Sequence, residues 1–180
     1  MASTWIAPKS SSCREYGVVT RFIELAGEIN SRMPAHVIQK VMEALNARGK
    51  AVKGARMLVL GAAYKRGTDD PRESPGLEIL ELLLTREARA EYSDPHIPRL
   101  PIGRRHKLDL TSVPLTETSL RVFDAAVLVT DHSAFAYELI HRAVPLIVDT
   151  RNSFRSRRAR TSFRHNRAPA QVLLTATSLG

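Results

Sequence analysis

The sequence predicts an α/β protein with a mainly parallel sheet that is flanked by helices and preceded by a helical arm. Four short apolar runs, at 56–61, 89–93, 125–130 and 145–149, have the length and composition of buried strands. Helical patterns separate the first run from the second and the third from the fourth. The order strand, helix, strand, strand, helix, strand is typical of a parallel sheet with crossover helices.

The helical arm is predicted from apolar residues that recur every three or four positions from Val18 to Leu45. Pro34 lies inside this stripe, where a proline either kinks a helix or opens a second one. Gly49 and Gly54 are expected to end the helical stretch.

The first predicted strand, "RMLVLG", closes at Gly61, and the helix that follows it is expected to be capped by Ser74 with Pro75 in its first turn. Asp94 and Pro95 end the second strand. Residues 96–119 are predicted to be a loop, "FDAAVLVTD" the third strand, "SAFAYELIHRA" a helix and "PLIVDTR" the fourth strand.

Charge is unevenly distributed along the chain. Residues 151–180 carry seven arginines and no acid, whereas the other 150 residues carry 20 Lys or Arg against 18 Asp or Glu. The net charge of +9 is therefore mainly a property of the C-terminal stretch, which favours a solvated tail and makes a nucleic-acid partner unlikely.

These patterns predict four regions. They are an irregular N-terminal segment at 1–16, the helical arm at 17–52, the α/β domain at 53–154, and a basic, disordered tail at 155–180. The single cysteine, Cys13, excludes an intrachain disulfide framework, and the N-terminus lacks the apolar core of a signal peptide. We therefore expect a cytoplasmic protein with no membrane-spanning segment.

Cations follow the predicted strands where the strands end. Tyr64 and Lys65 come after the first strand, Arg72 precedes the next helix, and Arg151 follows the fourth strand. The carboxyl ends of parallel strands meet at one edge of the sheet, so these cations can converge beside a helix start and favour a phosphate or diphosphate ligand. The alternative is that Lys65 and Arg72 pair only with the neighbouring acids, which are Asp69, Asp70 and Glu73.

Several other kinds of site are excluded by spacing. Gly61 and Gly67 do not follow the G-x-G-x-x-G order of a dinucleotide site, and no Gly-Lys-Ser/Thr of a P-loop is present. No Cys/His cluster has zinc spacing. His132 and His141 are lone histidines with no neighbouring nucleophile, which favours core or surface roles over catalysis.

Five stretches closely resemble the C-terminal part of the UDP-glucose/GDP-mannose dehydrogenase family. They are "TRFIELAGEINSRMPAHVIQKVMEALN", "MLVLGAAYKRGTDDPRESPGLEILELL", "AEYSDPHIP", "FDAAVLVTDHSAFAYELI" and "PLIVDTRN", and they lie within about residues 14–154. The resemblance of these stretches is nearest to the bacterial UDP-N-acetylhexosamine 6-dehydrogenases of surface-polysaccharide synthesis.

The resemblance implies a Rossmann-like, UDP-sugar-binding domain of an NAD-dependent oxidoreductase. Such enzymes oxidise the C6 alcohol of a nucleotide sugar to a carboxylate, with NAD held mainly by a separate N-terminal domain. By this resemblance Tyr64, Lys65 and Arg151 contact the UDP-sugar, and Arg72 reaches the NAD. The arm at 17–50 matches the end of a central dimerisation region.

The sequence also departs from the family. The N-terminal NAD-binding domain and the glycine-rich catalytic-cysteine segment have no counterpart, and Cys13 stands in a different context. No catalytic residue is therefore assigned in this chain, and a truncated form that is inactive alone is expected. The alternative is a non-catalytic module that binds a UDP-sugar or pairs with a complete dehydrogenase subunit.

Self-association is expected from the apolar stripe of the arm. If most of the central region is missing, some of Phe22, Ile29, Val37 and Val41 should be exposed and should promote homo-oligomers or poor solubility.

Overall fold

The computed structural model describes residues 21–100 and 108–154. The predicted N-terminal segment at 1–16, with Cys13, and the predicted tail at 155–180 lie outside these residues. Eight elements follow one another along the described chain: α1 Arg21–Asn46, β1 Arg56–Leu60, α2 Pro75–Thr85, β2 Arg89–Ser93, α3 Glu117–Leu120, β3 Ala125–Leu128, α4 Tyr137–Ala143 and β4 Ile147–Asp149.

The four strands form one parallel sheet in the order β2-β1-β3-β4, as the sequence predicts. The chain runs from β1 outward to β2 and then crosses back to β3 on the other side of β1. Such a reversal of strand order brings the carboxyl ends of β1 and β3 side by side and opens the crevice in which parallel α/β sheets bind ligands. The fold is thus Rossmann-like.

Both faces of the sheet are covered, and the side chains alternate between them. Met57 and Val59 belong to one apolar cluster, together with the buried side chains of α2. Leu58 and Leu60 belong to a second cluster, together with those of α4. Burial on both faces explains why the strands have apolar runs rather than an apolar-polar alternation.

The chain divides into two compact units, Met1–Met33 and Pro34–Gly180. Within the described part of the first unit, Arg32 and Glu28 form an exposed ion pair one helical turn apart. Helix α1 continues through Pro34, so neither a second helix nor a break begins there.

The second unit buries the arm residues that belong to it. Val37 and Val41 are 5% and 0% exposed and lie in the same cluster as Met57 and Val59. The expectation that some of Phe22, Ile29, Val37 and Val41 are exposed is therefore not met by the two valines, because the arm from Pro34 onward contributes to the core. It stays untested for Phe22 and Ile29, whose side chains lie outside the described residues.

Glycine is required where β1 ends. Gly61 has a φ of +90°, and a Cβ added there would lie 2.5 Å from the backbone oxygen of Thr130. Gly76, in the first turn of α2, would bring its Cβ within 2.7 Å of the Gly61 oxygen. These close approaches bring the start of α2 and the residues after β3 against the end of β1.

Candidate functional site

The residues that follow β1, β3 and β4 are joined to one another at the carboxyl edge of the sheet. The Thr130 hydroxyl donates to the Ala63 oxygen at 2.7 Å, which links the loop after β1 to the residues after β3. The Arg151 side chain donates through Nε to the Val129 oxygen at 2.6 Å, which links the residues after β4 to the same segment. The structure thus brings the loops of Tyr64, Lys65 and Arg151 to one edge of the sheet.

Tyr64 and Lys65 are both exposed at the outer end of the loop after β1. The Tyr64 side chain is 46% exposed, and the Lys65 ammonium lies 5.3 Å from the centre of its ring. The Tyr64 backbone N–H donates to the Asp70 oxygen at 2.8 Å, which closes the loop behind them. The loop therefore presents an aromatic ring and a cation to solvent on a fixed backbone.

Arg72 is the cation that pairs within its own loop. Its Nε and one terminal nitrogen donate to the two carboxylate oxygens of Asp70 at 2.9 and 2.8 Å. This two-point contact lowers the pKa of Asp70 to about 2. The ion-pair alternative therefore describes Arg72 but not Lys65, which has no carboxylate within ion-pair distance among the described residues. The Arg72 side chain is 85% exposed and extends outward.

Arg66 is held by an acid from a different loop. Its guanidinium pairs with the carboxylate of Asp131, which also accepts from the Ser153 hydroxyl at 3.1 Å. Burial alone would raise the pKa of Asp131, but these two donors lower it below its usual value. Asp131 thereby ties the loop after β1 to the residues after β4.

A buried carboxylate, Asp94, underlies the whole edge. One of its oxygens accepts from the backbone N–H groups of Ala62 and Ala63 at 2.8 and 2.9 Å, and the other accepts from those of His96 and Ile97. From the sequence, Asp94 is predicted only to end a strand. An aspartate before a proline often bonds the backbone two residues on, which predicts the His96 contact but not the contacts to Ala62 and Ala63 after β1.

His132 is buried, so of the core and surface roles left open by the sequence it has the core one. The side chain is 0% exposed, and its Nε2 atom lies 3.1 Å from the Oδ2 atom of Asp94. Burial lowers its pKa, although the Asp94 charge acts in the opposite direction. Both histidine and carboxylate lie beneath the loop that carries Lys65.

A cleft with a volume of about 420 Å³ lies beside this edge. Its lining combines prolines, apolar side chains and the hydroxyls of Ser93, Thr111 and Ser112. Asp94 is its single charged residue, so it does not suit a diphosphate. The cleft is not lined by any of the four predicted binding residues, Tyr64, Lys65, Arg72 and Arg151. These residues lie instead in exposed loops at the carboxyl edge of the sheet.

The described residues do not provide a complete dinucleotide or metal site. After β1, the glycines lack the G-x-G-x-x-G spacing of a dinucleotide site, although the start of α2 lies against the end of the strand. The glycine spacing of a resident NAD site is therefore missing from the described residues. No group of three His, Cys, Asp or Glu that could hold a metal occurs within these stretches, and none of their helices is long and apolar enough to cross a membrane.

Comparison with known proteins shows which family has this fold and these sequence features. Residues 58–156 match the profile of the UDP-glucose/GDP-mannose dehydrogenase family, UDP binding domain. A UDP-N-acetyl-D-mannosamine dehydrogenase of Pyrococcus horikoshii is 33% identical over 135 residues, which are 72% of this chain and 29% of that protein. A similarly named protein of Methanococcus maripaludis is 32% identical over 117 residues, or 64% of this chain and 24% of that protein.

Solved structures agree with the sequence matches. The UDP-D-ManNAc dehydrogenase of Pyrococcus horikoshii covers 85% of this chain with a TM-score of 0.59 and 28% identity, and 32% of that structure is matched. A UDP-glucose dehydrogenase of Pyrobaculum islandicum covers 77% with a TM-score of 0.61 and 27% identity. The chain thus spans about a quarter to a third of the length of these relatives, and it belongs to the UDP-glucose/GDP-mannose dehydrogenase family, within the family's UDP-binding region.

Proposed function

We propose that this chain is the UDP-sugar-binding part of an NAD-dependent UDP-sugar 6-dehydrogenase. The substrate would be UDP-glucose or a UDP-N-acetylhexosamine, whose C6 alcohol the complete enzyme oxidises to the uronic acid. A cytoplasmic location and a role in polysaccharide synthesis belong to this proposal and rest on the single cysteine and the family likeness.

One observation carries the binding assignment. Among the described residues, four cations follow β1 and β4 at the sheet edge, and two of them, Arg66 and Arg72, are neutralised by aspartates. The side chains of Lys65 and Arg151 have no carboxylate partner among the residues the structure describes, although the Arg151 backbone N–H donates to Asp149. A diphosphate supplies the anion that this pair lacks, since arginine can grip two phosphate oxygens in one plane and lysine acts as a point charge.

Tyr64 and Arg72 complete the proposed assignments. The exposed ring of Tyr64 adjoins Lys65 and is proposed to pack against the nucleotide sugar. Arg72, held outward by Asp70, is proposed to contact NAD that a different domain binds. The Asp70 carboxylate would then set the direction of the Arg72 guanidinium without itself touching either ligand.

The first test uses titration calorimetry with UDP to compare the cations proposed to bind the diphosphate, Lys65 and Arg151, with Arg72, which pairs with an aspartate. Removing a charge-assisted contact costs about 1.5–3 kcal/mol, so Lys65→Ala and Arg151→Ala should each weaken binding roughly ten- to a hundredfold. Arg72→Ala should bind UDP nearly as the wild type does. Lys53→Ala is the matched control, because Lys53 precedes β1 at the opposite edge of the sheet and pairs with Glu87.

Equal losses in Lys65→Ala and Arg72→Ala, or a loss only in Arg72→Ala, would contradict the division of roles. Absence of UDP binding by the wild type would contradict the proposed function itself.

The second candidate function is a non-catalytic module that binds a UDP-sugar, pairs with a complete dehydrogenase subunit, or forms a homo-oligomer. The observation that favours it is that the glycines after β1 lack dinucleotide spacing. Sedimentation of the chain alone and with a complete dehydrogenase would separate self-association from pairing.

A further inference from the structure

A buried pair, Asp94 and His132, lies beneath the loop that carries Tyr64 and Lys65, and neither residue belongs to the proposed ligand contacts. Asp94 is 4% exposed and His132 is 0% exposed. The Nε2 atom of His132 and the Oδ2 atom of Asp94 are 3.1 Å apart. Buried polar groups are costly unless they are hydrogen-bonded, so the partners of this pair decide its role.

The hydrogen bonds of His132 fix its tautomer. The backbone N–H of Gly67 points at Nδ1, 3.2 Å away. A backbone N–H can only donate, so Nδ1 carries no hydrogen and accepts. The ring hydrogen is then on Nε2, which donates to Asp94. His132 is thus a neutral imidazole with both nitrogens in use, and it connects a buried carboxylate to the Gly67 amide.

The pair holds the loop on both sides of Lys65. On one side, Asp94 accepts directly from the backbone of Ala62 and Ala63. On the other side, His132 accepts from Gly67, two residues after Lys65. The direction in which Lys65 leaves the sheet edge is therefore set by a carboxylate before it and by an imidazole after it.

We propose that His132 is a positioning residue for nucleotide-sugar binding, which connects Asp94 to the Gly67 amide and so holds Lys65 toward the diphosphate. This inference rests on the proposed function of Lys65. His132 touches no ligand in this arrangement, and its contribution to affinity passes entirely through the backbone of the loop.

Protonation would break this connection. An imidazolium donates from both nitrogens and cannot accept, so the Gly67 N–H would face another N–H. The charged groups around the ring are Asp94 after β2, His96 with its ring centre 4.9 Å away, and Asp131 beside it in the chain. The two aspartates favour the imidazolium, whereas His96 and burial, which is the largest effect, oppose it. The connection should therefore persist at pH 7 and fail only below the usual histidine pKa of about 6.5.

Two substitutions separate the two hydrogen bonds of His132. In His132→Asn the amide oxygen occupies the place of Nδ1 and can still accept from Gly67, but the donor to Asp94 is lost. In His132→Gln the amide nitrogen can reach the place of Nε2, but the acceptor for Gly67 is lost. The exposed His36→Gln on α1 is the control for removing a histidine.

Calorimetry with UDP-glucose, which has no group that titrates between about pH 5 and 8, gives the main readout. At pH 7 we expect His132→Gln, which loses the acceptor for Gly67, to bind about three- to tenfold more weakly than the wild type, and His132→Asn, which keeps that acceptor, to lose less affinity than His132→Gln. Once a fall in pH protonates the imidazole, the wild-type affinity should fall, while that of His132→Asn should stay constant. A merely structural histidine would not produce this difference between the two profiles.

A measurement on the wild type keeps the proposal testable if both variants fail to fold. The ¹⁵N shifts of the imidazole should show Nδ1 without hydrogen and Nε2 with hydrogen at pH 7. The opposite tautomer would overturn the proposal, as would a folded His132→Gln that binds like the wild type, or a wild-type affinity that stays constant while the ¹⁵N shifts show the imidazole becoming protonated.

Failure of the inference differs from failure of the proposed function. UDP-glucose binding that depends on Lys65 but not on His132 would overturn the inference alone. No UDP-glucose binding by the wild type would overturn the proposed function, and with it the role of His132 toward a ligand.

Discussion

Gly61 is the residue at which the backbone of the binding edge is most tightly constrained. Its φ of +90° favours glycine, and the Thr130 backbone and Cβ occupy the space that a side chain would need. Because these neighbours belong to the segment after β3, the contact cannot be relieved by turning one flexible side chain.

Gly61→Ala should therefore lower the free energy of unfolding by about 2–5 kcal/mol, which combines the left-handed backbone cost with overpacking. Gly49→Ala is the matched control, because Gly49 has a φ of +68° and nothing within 4 Å of an added Cβ. Urea denaturation should show a loss of only about 1–2 kcal/mol for that control. Equal losses at the two positions would show that the close approach to Thr130 is unimportant.

At the residue scale, the sequence predicts the exposed cations better than the buried groups behind them. Lys65 and Arg151 follow strands, and a parallel sheet brings strand ends to one edge whatever the details. The role of His132 depends on Asp94 and Gly67, which lie 38 and 65 residues away in the chain. No local pattern contains such a pair, so a lone histidine and a turn aspartate are all that the sequence indicates.

Among the elements, α2 is the helix whose start is specified most fully by local chemistry. Ser74 is 2% exposed, and its hydroxyl accepts from the Gly76 N–H at 3.1 Å, with Pro75 at the first helical position. The predicted cap is thus confirmed. Glu78 in the first turn adds a favourable interaction with the helix dipole.

Ser74→Ala should lower the free energy of unfolding by about 1 kcal/mol, since the Gly76 N–H loses its acceptor. Ser133→Ala, at an exposed turn position before α4, is the control and should change stability by less than about 0.5 kcal/mol. Thermal or urea denaturation of the wild type, Ser74→Ala and Ser133→Ala measures these changes in stability. A Ser74→Ala protein as stable as the Ser133→Ala control would contradict the capping role.

Three strands, β1, β3 and β4, were predictable because each is a short apolar run buried on both faces. The edge strand β2 is RAEYS, with an exposed arginine and a half-buried glutamate, and its prediction depended on the Asp94-Pro95 stop.

The helices were less predictable where neither a long apolar stripe nor a clear cap marks them. Helix α4 begins at Tyr137 and not at Ser133, and its start has no side-chain cap. The four-residue helix α3 begins inside the predicted loop at 96–119, because its capping box of Thr116 and Ser119 is a signal too short to stand out.

For the whole molecule, the chain alone should form no NADH from UDP-glucose and NAD. Hydride transfer needs a bound nicotinamide, and covalent catalysis needs an activated thiol. The glycines after β1 lack dinucleotide spacing, and no described residue is a cysteine. An absorbance assay with a complete dehydrogenase as positive control tests this expectation. NADH formation that disappears in Cys13→Ala would contradict it.

The hydrogen bonds that Asp94 accepts set a limit on the order in which the chain can fold. Ala62 and Ala63 precede it by 32 and 31 residues, and His132 follows it by 38. Closing loops of that length costs chain entropy before any contact repays it. Two of its donors, His96 and Ile97, are local, but the carboxylate can collect the others only after β1, β2 and β3 have aligned. We therefore expect the edge proposed to bind the nucleotide to be completed late in folding, after the sheet that supports it.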